Sequence, residues 1–149
     1  MGFMQWQMGM GYMAIMCLGL LKKSFPVKIF FMLWFSEILE NELKKVDVNK
    51  ESGIARALKS AFLHSNQRLI SGHIDCTFSG TTLVSLLMID KKFYTSNVGD
   101  SRAVIFNNKN NIWKAKALSN DHKPDVPTEK KRIEKNGGRC EPYWGMNFC

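Results

Sequence analysis

The sequence predicts an α+β domain in which helices cover antiparallel strands, and three observations predict it. Two segments with apolar residues at helical spacing come first, up to Leu69. From Thr81 to Leu118 the period changes to two. The separators in that second stretch, Asp90-Lys91, Gly99-Asp100-Ser101 and Asn107 to Asn111, are short and rich in turn residues. Helices followed by hairpin-linked strands point to layered α+β packing rather than a doubly wound parallel sheet. A length of 149 residues allows one domain.

The elements follow in order. Ser36 is placed to cap a first helix, with Glu37 and Glu40 near its start and Lys44 and Lys45 at its end, the charge order a helix dipole favours. Glu51 to Leu69 reads as a second helix through Ile54, Leu58, Phe62 and Leu69, stopped by Ser71-Gly72. Thr81 to Ile89 is apolar on both faces, as a strand buried between layers would be. Lys92 to Val98, Arg102 to Phe106 and Ile112 to Leu118 continue it as an antiparallel meander. A last helix spans roughly Pro127 to Asn136, with Pro at its first turn and Gly137-Gly138 as its stop.

Composition narrows the function. There are 21 basic and 13 acidic residues, a net charge of +8, with 45% apolar and 23% charged residues, which excludes a disordered chain. The lysines are scattered without interleaved aromatics, so no nucleic-acid partner is expected. The four cysteines form no CxxC or Cys/His cluster; free thiols and a cytoplasmic location are expected.

Residues 1–35 stand apart from 36–149. They hold seven of the nine methionines and no acid, and their charges are Lys22, Lys23 and Lys28. The uncharged run Met8 to Leu21 has 14 residues, short of the roughly 20 that span a bilayer. A membrane partner is not expected, although an apolar segment beside lysines leaves an interfacial anchor open.

Three segments of residues 36–149 together resemble the metal-dependent serine/threonine protein phosphatase family (PPM, type 2C). They are Ser79-Gly80-Thr81-Thr82, Asn97-Val98-Gly99-Asp100-Ser101-Arg102-Ala103-Val104, and Leu118-Ser119-Asn120-Asp121-His122-Lys123-Pro124 leading through Glu129, Arg132 and Ile133 to Gly137-Gly138. The resemblance covers residues 36 to about 140 and implies part of a four-layer α-β-β-α sandwich of antiparallel sheets flanked by helices, incomplete in this chain. It implies dephosphorylation of phosphoserine and phosphothreonine proteins by a water activated on two Mg or Mn ions held by carboxylates.

Carried over residue by residue, Asp100 matches the aspartate that in several family members binds a further, weaker metal. The residues alone equally allow a hairpin-turn aspartate, since Gly-Asp is good turn chemistry. Gly80 and Gly99 match positions where backbone crowding excludes a side chain. Arg102 is expected in a structural ion pair, Asp121, His122 and Lys123 in fixing a loop, and Glu129 with Arg132 in an i,i+3 pair.

The departures bear on activity. No Asp-Gly-His-Gly motif occurs, nor the family's later aspartate motifs, so every ligand of the main metal pair is missing and no catalytic residue is assigned. The expectation is a phosphatase domain by family that is truncated and inactive as it stands, with a non-catalytic pseudophosphatase or binding fragment as the alternative. A sandwich lacking strands exposes edges, so self-association is expected. The codons required by Gln7-Met8-Gly9-Met10-Gly11, started one base earlier, permit Asp-Gly-His-Gly. Residues 1 to about 20 are therefore expected to be an out-of-frame reading of that motif, which the nucleotide sequence tests: the Gln7 codon must end in G and that of Gly9 in C.

Overall fold

The computed structural model describes residues 2–8, 11–17, 25–76, 79–143 and 146–148. Two strands open the chain, β1 (Gly2–Met8) and β2 (Gly11–Cys17), followed by helices α1 (Phe25–Leu43) and α2 (Glu51–Ser71). Strands β3 (Leu83–Ile89), β4 (Lys92–Val98), β5 (Val104–Lys109) and β6 (Ile112–Ala117) come next. Helix α3 (Pro127–Lys135) and a short hairpin of β7 (Glu141–Tyr143) and β8 (Met146–Phe148) complete the order. The α+β class agrees with the sequence.

Helix α1 begins at Phe25 and not at Ser36. Pro26 suits the first turn, because its ring presets φ and its missing N–H has no partner to lose there. Val27, Phe31, Phe35, Leu39 and Leu43 then recur every four residues and are buried, so one continuous stripe carries the helix past the composition break. Ser36 lies in the helix interior, where its Oγ donates to the Met32 carbonyl at 2.9 Å. That back-bond removes the residue from capping and corrects the expected start.

The stripe of α1 packs on Ile54, Ala57, Leu58, Ala61 and Leu69 of α2, and both helices lie on Leu83 and Leu87 of β3. The Phe35 and Phe62 rings meet at 4.6 Å between centroids, tilted by 51°. Between Leu83 and Leu87, on the same face of the strand, Ser85 is buried and shares a 2.5 Å hydroxyl bond with Ser96, directly opposite on β4. Mutual pairing is what lets two hydroxyls sit beside an apolar core.

The main sheet has the order β1-β2-β3-β4, antiparallel throughout. β3 is an inner strand, paired on both edges by β2 and β4, and its neighbours Leu83 and Val84, which point to opposite faces, are both buried. Of the residues over which the shifted motif falls, Gln7 and Met8 end β1, Gly11 opens β2, and Gly9 and Met10 lie outside the described residues.

The expected meander is corrected at Gly99. β4 does not continue into β5; instead β5 and β6 form a separate two-stranded sheet. Arg102 and Ala103 are outside any strand. The turn of this hairpin is Asn110-Asn111, both at positive φ (55° and 60°), the type I′ geometry that Asn tolerates and that suits a two-residue connection.

Helix α3 ends as its glycines predict. Gly137, at φ +82°, donates to the Glu134 carbonyl and Gly138 to that of Ile133, both at 3.0 Å, the two bonds of a Schellman motif. The free-thiol expectation holds for Cys76 and fails for Cys140, which is disulfide-bonded. Spacing along a chain does not report which thiols fold to within bridging distance. The side chains of Cys17 and Cys149 lie outside the described residues.

Candidate functional site

The second and third segments of the resemblance clamp each other. Gly99 has φ +96°, and a Cβ there would run into the Thr82 side chain, 2.8 Å from its Cβ. Only glycine fits this combination of left-handed backbone and close approach. The Gly99 carbonyl accepts from the His122 backbone N–H at 3.0 Å and from Asn97 Nδ2 at 3.0 Å. Asn97 Nδ2 also donates to the Asn120 carbonyl at 2.9 Å, so one amide ties the end of β4 to the Asn120 loop. Because both partners are carbonyls, the amide orientation is fixed.

On the other side of Asp100, the Thr82 and Ser101 hydroxyls are 2.6 Å apart. The Ala103 N–H donates to Ser119 Oγ at 2.9 Å, and the Leu118 N–H to the Ala103 carbonyl at 2.8 Å. Arg102 Nε donates to Asp121 Oδ1 at 2.7 Å, while Lys123 Nζ lies 3.3 Å from Oδ2. The Asp121 side chain is only 11% exposed. Arg102, above all, and Lys123 hold this carboxyl below its usual range, and Asp121 in turn raises Arg102. Arg102 is thus in the ion pair expected of it, and Asp121 and Lys123 fix the loop. His122 does so through its backbone while its side chain stays exposed.

Glu129 and Arg132 pair as expected, with three contacts of 2.7 to 3.1 Å. The guanidinium lowers the Glu129 carboxyl. Gly80 departs from expectation: a Cβ there would meet nothing within 4 Å, so crowding by the described residues does not explain a glycine at this position. Asn97 and Ser119 carried no separate weight in the sequence. Their signal was position inside the two segments, next to residues whose backbone turns. The Asn97 Oδ1 is buried without a partner among the described residues.

Asp100 itself stands on the loop so fixed, exposed, between Gly99 and the buried Ser101. The clamp bonds reach its neighbours on both sides and leave its carboxylate facing water. A cleft of about 550 Å³, which Asp100 does not line, is bounded by Arg102, Ser119, Asp121, His122, Lys123 and Glu129, with its two acids each bound to a cation. Among the described residues no three His, Cys, Asp or Glu side chains gather closely enough to hold a metal ion. Mg or Mn takes about six oxygens in octahedral array, and a lone carboxylate leaves most of them to water, which holds an ion only weakly. The described residues therefore do not fit a two-metal centre.

A family profile described as "Protein phosphatase 2C" matches residues 32–148. A probable protein phosphatase 2C 35 of Arabidopsis thaliana is 42% identical over 84 residues, 56% of this chain and 24% of that protein. Protein phosphatase 2C homolog 2 of Hypocrea jecorina is 36% identical over 107 residues, 71% of this chain and 24% of that protein. The chain thus spans about a quarter of the length of these curated relatives. The crystal structure of a serine-threonine phosphatase 2C from Toxoplasma gondii superposes with a TM-score of 0.61 at 19% identity, covering 89% of this chain and 46% of that one.

Proposed function

The chain belongs to the protein phosphatase 2C family, and from that premise we propose that it is a partial protein serine/threonine phosphatase domain that is catalytically inert by itself. One observation carries the proposal: a loop braced on both sides presents a lone carboxylate, Asp100, with no carboxylate cluster among the described residues. The bracing supports a family role for the loop, since turn chemistry alone does not require two segments about twenty residues apart to hold it. The lone carboxylate supports inertness.

Within this proposal Asp100 is the ligand of a single weak Mg or Mn ion, and the partner class is phosphoserine and phosphothreonine proteins. The proposed location is the cytoplasm, which the free Cys76 thiol supports. The disulfide at Cys140 weighs against a reducing compartment, and thiol trapping in cell extracts decides between the two.

Hydrolysis of a phosphothreonine peptide with Mn added is the direct test. No phosphate release above buffer is expected, and metal-dependent turnover overturns the proposal. Mn titration watched by NMR tests Asp100 separately. Broadening centred on residues 99–101, with affinity of about millimolar or weaker as for poorly caged hard-cation sites, is expected to vanish in Asp100→Asn. Broadening that survives the substitution removes Asp100 from metal binding.

A further inference from the structure

We propose that the outward face of the N-terminal half of α1 docks on an anionic lipid surface. Apart from Lys28 this half of the helix is apolar, and the core uses only one side of it. Val27, Phe31 and Phe35 face the core, while Ile29, Phe30 and Leu33 remain 36%, 41% and 38% exposed. Residues 29, 30, 33 and 34 fall on one side of a helix of 3.6 residues per turn, so the exposed apolar groups make one stripe and not scattered points.

The stripe is finished in aromatic and cationic chemistry. Phe30 packs on Trp34 at 5.6 Å between ring centroids, and the Arg68 guanidinium lies 4.8 Å over the Trp34 ring. An indole backed by a guanidinium suits the headgroup layer, where one part of a side chain is wet and the other apolar. The helix does not cross a membrane: no helix among the described residues is long and apolar enough. It suits lying in the interface, with its other face held by α2.

Charge selects the occupant. Residues 1–36 contain no acid, and Lys22, Lys23 and Lys28 are their only charged side chains. The first acids beyond the stripe are already paired, Glu37 with Arg68 at 2.9 Å and Glu40 with Lys44 at 2.8 Å. An apolar stripe that Lys22 and Lys23 precede in the sequence, on a chain of net charge +8, complements a negatively charged surface. The sequence leaves an interfacial anchor open for residues 8–35; the structure makes Gly11–Cys17 a strand and the part from Phe25 onward a packed helix, on which Ile29, Phe30 and Leu33 stay exposed.

Flotation of the full chain with vesicles tests the inference, because floated material excludes aggregates. Phosphatidylcholine vesicles containing phosphatidylserine are expected to carry about ten-fold more protein than phosphatidylcholine alone, and less in high salt. The double variant Phe30→Ser, Leu33→Ser, whose side chains are partly exposed, is expected to reduce binding about ten-fold with unchanged circular dichroism. Should that variant misfold, Lys22→Ser with Lys23→Ser, which changes none of the buried residues named above, is expected to abolish the preference for phosphatidylserine. Absence of vesicle binding, equal binding to both lipids, or binding lost only on substituting Phe106 and Trp113 of the β5–β6 hairpin would each overturn the inference.

Discussion

Gly99 and Gly80 both sit in the segments that carry the family resemblance, yet only Gly99 has a backbone conformation and a neighbour that exclude a side chain. Gly99→Ala is expected to cost about 2 to 3 kcal/mol, combining left-handed strain with displacement of Thr82. Gly80→Ala, in open space, is expected to cost less than about 0.5 kcal/mol. Urea midpoints of the two variants measure this directly, and equal shifts would refute the distinction. Asp121 gives a pH signature. Its carboxyl is held below the ordinary 3.8, so between the lowered and the ordinary value the unfolded chain binds more protons and stability rises with pH. The contribution is complete above the ordinary value and is lost as pH falls through the lowered one. Asp121→Asn is expected to flatten this part of the acid limb when denaturant midpoints are followed from about pH 5 down to about pH 2. A limb as steep as that of the parent chain would show that the Arg102 and Lys123 contacts do not persist in solution.

Among the elements, α1 and α2 form the stability centre, since Phe35, Leu39 and Ile54 are 0% exposed and share one cluster with β3. Phe35→Ala opens a cavity against Phe62 and is expected to cost about 3 to 5 kcal/mol, read as a lowered melting temperature. Glu129→Gln breaks a bidentate pair on the surface of α3 and is expected to cost only a few tenths of a kcal/mol; a loss as large as that of Phe35→Ala would mean that α3 is held by this pair. The boundaries of α2, β3, β4, β6 and α3 were legible to within two residues because their periodicity ends at turn residues. The start of α1 was not, because Ser36 and the acids after it imitate a cap, and only packing against α2 shows that the preceding apolar turns are helical.

At the scale of the molecule, the β5–β6 hairpin is the feature that packing leaves unfinished. Its register places Val104, Phe106, Trp113, Ala115 and Ala117 on one face and Lys109, Lys114 and Lys116 on the other. All residues of both strands are exposed. An isolated two-stranded ribbon is marginal in water, and an uncovered apolar face invites association. Light scattering after size exclusion is expected to show mass rising with concentration, reduced by Phe106→Ser with Trp113→Ser; a monomer at every concentration would contradict it.

The sequence by itself determined the α+β class, the burial of β3, the glycine stop of α3, and the segments whose residues belong together, because period, turn chemistry and motif order are local properties of a chain. Tertiary structure decided that the meander divides at Gly99, that Ser36 is interior, that Cys140 is bonded and that Asn97 bridges two loops to hold Asp100 outward. Each of these depends on which distant groups meet. Contacts such as Asn97 with Asn120, or Arg102 with Asp121, exist only after the chain has closed on itself, and no local preference encodes them.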